Sequence, residues 1–221
     1  MNRARVTAVR ALTPDVLEAD LAMVDPPALA FEAGQWISVP FGPKTVRAYS
    51  IASSPRTPAA LTLCADVAPG GIGSRWFRGL APDAAVDFKG PLGGFVLEPG
   101  DRRRLLLVAE EIGIVPIRAI ARELAATDVA RPASLVYWAR DAGWLVYDAE
   151  LRALARRPGG LAYHPITPAD GEPGAVAARL VTEIAGLVAY VAGGEATIKA
   201  VRAALLAKGM ERRAIKWEKF W

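Results

Sequence analysis

A single cysteine, Cys64, and a single histidine, His164, are all the thiol and imidazole that 221 residues provide. One thiol cannot close an intramolecular disulfide, and it cannot hold an iron–sulfur cluster that needs four thiolates. Any electrons this chain handles therefore travel on an organic cofactor. His164 lies in "LAYHPI", the end of a strand, and reads as a structural histidine, so no metal site is expected. No apolar run approaches the length of a membrane span. The opening "MNRARVTAVRALTPD" lacks the continuous apolar core of a signal peptide. The expectation is a soluble, cytoplasmic protein with no membrane partner. Charge of one sign is also scarce: 27 Lys and Arg against 23 Asp and Glu leave a net +4. That excess is too small and scattered to argue for nucleic acid, though it suits an anionic small ligand or an acidic partner.

Apolar residues make up 52% of the chain and charged residues 23%, ample for globular cores. The length suits two domains of about 100 residues each. Up to residue 98 the chain is a series of short alternating runs broken by Pro and Gly: "ARVTAVRALT", "VLEADLAMV", "QWISVPF", "RAYSIASS", "ALTLCADV", "AAVDFKGP" and "GGFVLEP". This is the pattern of antiparallel strands closed into a small barrel. From residue 104 apolar strands alternate with helices: "RLLLVAEE" then "VPIRAIARELAA", "ASLVYWAR" then "VYDAELRALARR", "GLAYHPI" then "GAVAARLVTEIA", "GLVAYVAGG" then "EATIKAVRAALLAKG", and finally "AIKWEKFW". Strand and helix in alternation imply a parallel sheet wrapped by helices. The stretch "EPGDRRR", 98–104, reads as the linker, giving domains at 1–98 and 104–221.

Two motifs carry chemistry. In "RAYSIASSP" the period of two puts Arg47 and Tyr49 on one face of a strand and Ser50 on the other. A guanidinium grips phosphate and a phenol offers a flat ring, so this face suits a planar phosphorylated ligand. For four residues alone, an amphipathic strand with no ligand is the plainer reading. In "APGGIGSRWFRGLAP" a glycine-rich turn runs into a short helix ending at Gly79. Its backbone N–H groups form a phosphate cradle, although glycine turns are common and one alone is weak.

Taken with "GQWISV" before and "GPLGGF" after, these motifs resemble the ferredoxin–NADP reductase-like superfamily of flavin oxidoreductases over nearly the whole chain. The resemblance implies a six-stranded flavin-binding barrel followed by a parallel-sheet nucleotide-binding domain, with FAD as cofactor (FMN being the alternative) and NADH or NADPH as co-substrate. Arg47 is then the flavin-phosphate ligand, Tyr49 lies against the isoalloxazine and ribityl, Ser50 approaches the flavin N5, and Gly71, Ile72, Gly73 and Ser74 hold the pyrophosphate. The ending "KWEKFW" resembles the bacterial type, with Glu218 as a proton or polarising group and Phe220 or Trp221 stacked on the flavin. Core packing or a dimer contact is the alternative for these aromatics.

In the second half Gly113 and Pro116 match the family's first nucleotide-binding turn. Glu110 and Glu111 stand in place of small residues there, and would repel a dinucleotide pyrophosphate unless they point away or are paired. Arg140 falls in the segment that resembles the adenosine side. Gly193 and Gly194 fall near the nicotinamide, where Ala192 replaces a frequent cysteine. After "AYHPI" this chain has Thr167, Pro168 and Ala169 without the arginine of phosphate-preferring members, which favours NADH. The expected partner is a small redox carrier, ferredoxin or flavodoxin. A ferric-siderophore reductase acting on a ferric chelate is one alternative, and a flavin-bearing electron-transfer subunit with a degenerate nucleotide site is another.

Overall fold

Alternating apolar and polar residues place one side of each N-terminal strand in a common core. The computed structural model describes residues 1–127, 131–157 and 161–220 and divides into two units, Met1–Val96 and Leu97–Trp221. The first unit contains β1 (Asn2–Ala11), β2 (Val16–Asp25), β3 (Trp36–Pro40), β4 (Val46–Ser50), β5 (Ala60–Asp66) and β6 (Ala85–Leu92), with helix α1 (Ile72–Arg78) between β5 and β6. All pairings are antiparallel, in the order β4-β3-β6-β1-β2-β5. The outer strands meet again just beyond β4. Ile51 bridges Leu63, and the Ala52 N–H donates to the Thr62 carbonyl at 2.8 Å. Closure removes the open edges and gives the six-stranded barrel. Its interior is filled by Val6, Leu21, Ile37, Ile51, Leu63 and Phe88.

The run "GGFVLEP" adds no strand, contrary to its alternating pattern. Gly93 turns at a φ of +96°, with the Trp36 indole nitrogen 2.5 Å from where a Cβ would stand, so the chain leaves the sheet directly after β6. Phe95 then buries to 5% exposure without a strand around it.

In the second unit β7 (Arg104–Glu110), β8 (Ala133–Trp138), β9 (Ala162–Ile166), β10 (Leu187–Gly193) and β11 (Ile215–Lys219) form one parallel sheet in the order β11-β10-β7-β8-β9. The connecting helices are α2 (Ile114–Ala125), α3 (Asp148–Ala155), α4 (Pro173–Leu180) and α5 (Glu195–Ala207). Leu106, Val108, Val136, Ala189 and Val191 pack with α4 and α5, while α2 touches β7 and β10 without joining that cluster. Helices therefore cover both faces, which is why β10 is buried at every residue. The helix expected over 174–185 stops at Leu180. Val181 turns to extended backbone (ψ 93°) and sinks its side chain into the core at 6% exposure.

The stretch after Leu97 is tied to the second unit by charge. Asp101 accepts from the Arg103 backbone N–H at 3.0 Å and from its guanidinium at 2.7 Å, and Arg131 stands 3.5 Å away. The hydrogen bonds from Arg103 hold the Asp101 carboxyl down to about 2, against an ordinary 3.8. Because its folded pKa is depressed, the stability that Asp101 contributes is complete above about pH 4 and is lost as pH falls through about 2. Melting temperatures of the wild type and Asp101→Asn should therefore differ near neutrality and converge over that acid window. A gap that persists to its acid end would contradict this.

Candidate functional site

Arg47 and Tyr49, two residues apart on β4, meet the glycine-rich turn from the other half of the barrel. A Cβ at Gly73 would lie 2.8 Å from the Tyr49 hydroxyl and 3.1 Å from the Arg47 Cγ, so only glycine lets α1 approach this closely. The Tyr49 hydroxyl donates to the Gly73 carbonyl at 3.3 Å. Burial raises the phenol to about 12, so it stays a protonated donor across the physiological range. The Tyr49 ring rests against Trp76 and Phe77, with centroids 5.3 and 5.6 Å away. Arg47 is exposed, donates to the Val46 carbonyl and has no carboxylate partner among the described residues. Gly71 caps α1 with open space where its Cβ would be.

A cation without a counter-ion therefore stands beside a helix start whose first N–H groups have no partners within the helix. The donor set fits the phosphates of FAD: Arg47 supplies charge, and the turn from Gly71 through Ile72 and Gly73 to Ser74 supplies N–H groups. Tyr49→Phe should lower stability by about 1 kcal/mol, because the Gly73 carbonyl loses its donor while the ring packing remains. Chemical denaturation checks this, and a variant as stable as the wild type would contradict it.

The second unit has its own crevice. The strand order reverses between β7 and β10, and a parallel sheet opens a cleft at the carboxyl ends of the strands at such a point. Gly113, in the turn after β7, packs against β10 with no room for a side chain. A Cβ there would lie 2.6 Å from the Ala192 carbonyl carbon and 3.0 Å from the Gly193 nitrogen. Pro116 follows in the first turn of α2, where its missing N–H costs no hydrogen bond.

Glu110 and Glu111 are both paired. Glu110 Oε2 accepts from the Gly194 N–H at 2.7 Å. Glu111 Oε1 accepts from the Arg140 backbone N–H at 2.9 Å and from its Nε at 2.8 Å, and the Arg140 guanidinium lies 4.4 Å from the Trp144 ring centroid.

Of the remaining residues singled out from the sequence, Ser50 ends β4 opposite Trp36 and is buried at 5% exposure. Glu218 lies on β11 in register with Ala192, and the Phe220 N–H donates to the Gly193 carbonyl at 3.1 Å, which fastens the chain end to β10. Trp221 lies outside the described residues. Among the described residues there is no cluster of three metal-ligating side chains, and no helix is long and apolar enough to cross a membrane. No role for Trp76 or Trp144 follows from the sequence motifs, yet Trp76 packs on Tyr49 and Trp144 lies under the Arg140 guanidinium. Trp76 had a usable signal, since helical spacing puts it on one face of α1 with Gly73 and Phe77.

A family model described as an oxidoreductase FAD-binding domain matches residues 3–97. Ferredoxin–NADP reductase B of Sorangium cellulosum (strain So ce56) is 36% identical over 173 residues, covering 77% of this chain and 70% of that protein. The propane 2-monooxygenase reductase component of Gordonia sp. (strain TY-5) is 28% identical over 156 residues, covering 69% of this chain. Those residues are only 45% of the Gordonia protein, so this chain spans about half its length. Among solved structures, the Amycolatopsis cytochrome P450 reductase GcoB superposes with a TM-score of 0.88 at 28% identity, covering 99% of this chain and 69% of that one.

Proposed function

Because the chain belongs to the ferredoxin–NADP reductase-like superfamily of flavin oxidoreductases, we propose that it passes electrons from a reduced nicotinamide dinucleotide through FAD to a small redox carrier protein. The observation that carries this reading is the meeting of Arg47, Tyr49 and Gly73, which puts an uncompensated cation beside the start of α1. Arg47 neutralises flavin phosphate, the N–H groups from Ile72 to Ser74 hold the pyrophosphate, and Tyr49 fixes α1 in place through the Gly73 carbonyl. FAD, when bound, supplies the conversion of a two-electron donor into single-electron steps.

The dinucleotide lies at the switch point between β7 and β10, where Gly113 keeps the strand ends close. NADH is preferred over NADPH. The loop after β9 presents Asp170, which accepts from the Thr167 N–H and hydroxyl at 2.9 and 3.0 Å, and "TPADGE" has no arginine to meet a 2′-phosphate. In this reading Ser50, at the end of β4, stands at the reactive edge of the flavin. The net charge of +4 helps recruit an acidic carrier.

The test is direct. Flavin released from the purified protein is identified by chromatography, and NADH-driven reduction of a ferredoxin, a flavodoxin and a ferric chelate is compared. FAD, with turnover of a protein carrier, supports the reading. Turnover of the ferric chelate alone would replace the carrier with a chelate, and a colourless protein that takes up no FAD would remove the reading altogether.

A further inference from the structure

We propose that Glu110 is a built-in competitor for the nicotinamide dinucleotide, occupying the start of α5 so that nucleotide binding is an exchange against the chain's own carboxylate. The inference rests on the nicotinamide reading above and names a residue that sets affinity within it.

Glu110 is the last residue of β7, at the carboxyl end of the strand where the sheet order reverses. Its Oε2 accepts from the N–H of Gly194, the residue that caps α5. Over its 13 residues α5 presents unpaired N–H groups and the positive end of its dipole here, the features that draw an anion. Glu110 also folds flat against Gly193. A Cβ at Gly193 would lie 2.8 Å from both the Glu110 Cβ and Oε2, so the side chain fills the space beside the strand end.

Glu111 extends the same arrangement to the next strand. It adopts a left-handed backbone, φ +49°, which a glutamate rarely does without compensation. The compensation is the two bonds from Arg140, and the Glu111 side chain is only 11% exposed. Arg140, a cation two residues beyond the end of β8, is thus already engaged by a carboxylate.

A dinucleotide entering this crevice must offer its own acceptor to the Gly194 N–H and must displace or sit against the Glu110 carboxylate, which is held by a neutral backbone N–H, whereas the charge of Glu111 is met by Arg140. Removing Glu110 frees the donor at α5 and lifts that charge. Glu110→Gln keeps an acceptor of the same shape and removes only the charge, so it separates repulsion from occupancy.

Equilibrium binding of NAD⁺ to the FAD-loaded full chain, by titration calorimetry, tests this on the wild type, Glu110→Gln and Glu110→Ala, with melting temperature as the control for folding. Glu110→Ala is expected to bind NAD⁺ about tenfold tighter than the wild type, with Glu110→Gln between them. Affinity unchanged or weakened in both variants, while NADH still reduces the wild-type flavin, would overturn the competitor alone. If no form binds NAD⁺ and NADH reduces none of them, the nicotinamide reading fails and the competitor with it. Reduction of the variants but not of the wild type would support the competitor most strongly.

Discussion

Arg47→Ala is expected to release the flavin. Arg47 carries a guanidinium with no acidic partner among the described residues, and its stem packs against the Gly73 position at the start of α1. A charge-assisted contact to phosphate is worth about 1.5–3 kcal/mol, which corresponds to roughly 10- to 150-fold in dissociation constant. Lysine restores the charge as a point and loses the paired donors, so Arg47→Lys should fall between alanine and the wild type. Flavin retained on exhaustive dialysis is the measurement. Because Arg47 is exposed on β4, its loss should leave the melting temperature of the flavin-free protein nearly unchanged. A variant that keeps its flavin as tightly as the wild type would take Arg47 out of the site.

Gly113→Ala acts on stability. The added methyl would meet the Ala192 carbonyl carbon at 2.6 Å and the Gly193 nitrogen at 3.0 Å, and both belong to the backbone of a fully buried strand. Backbone in a central parallel strand cannot swing aside as a flexible side chain can. Overpacking of this kind costs about 3 kcal/mol or more, and for a chain of this size that lowers the melting temperature by roughly 6–12 °C. Gly71→Ala is the natural control, because nothing lies within 4 Å of its Cβ position. If Gly113→Ala melts with the wild type, the close approach of the β7 turn to β10 is wrong.

The parts of this molecule legible in the sequence are those set by local periodicity. Arg47 and Tyr49 share a face because a strand repeats every two residues, and their common contact with Gly73 bears this out. The five parallel strands are legible because strands buried on both faces read as unbroken apolar runs, such as "LVAYVAG". Two local readings failed for a shared reason. "GGFVLEP" alternates like a strand and "LVTEIA" continues a helical pattern, yet Phe95 and Val181 bury their side chains from irregular backbone. Periodicity reports which residues are buried and not the backbone that buries them.

Long-range direction was not legible either. Glu110 and Gly194 are 84 residues apart, and a carboxylate in a turn shows its charge in the sequence without showing where it points. The resemblance marked Glu110 and Glu111 as misfits among small residues. Only the geometry shows that each is paired, one with a helix start and the other with Arg140. The Tyr49 ring likewise spends much of its surface on Trp76 and Phe77, a cluster no single strand motif announces.

Electrons are expected to enter this chain from a reduced nicotinamide. Anaerobic stopped-flow mixing of the FAD-loaded protein with NADH, and separately with NADPH, tests it most directly by following the loss of the oxidised flavin absorbance. NADH is expected to bleach the flavin in a saturable phase and NADPH to do so more slowly, because Asp170 and not an arginine follows β9. A flavin that dithionite reduces but that neither nucleotide reduces would contradict it.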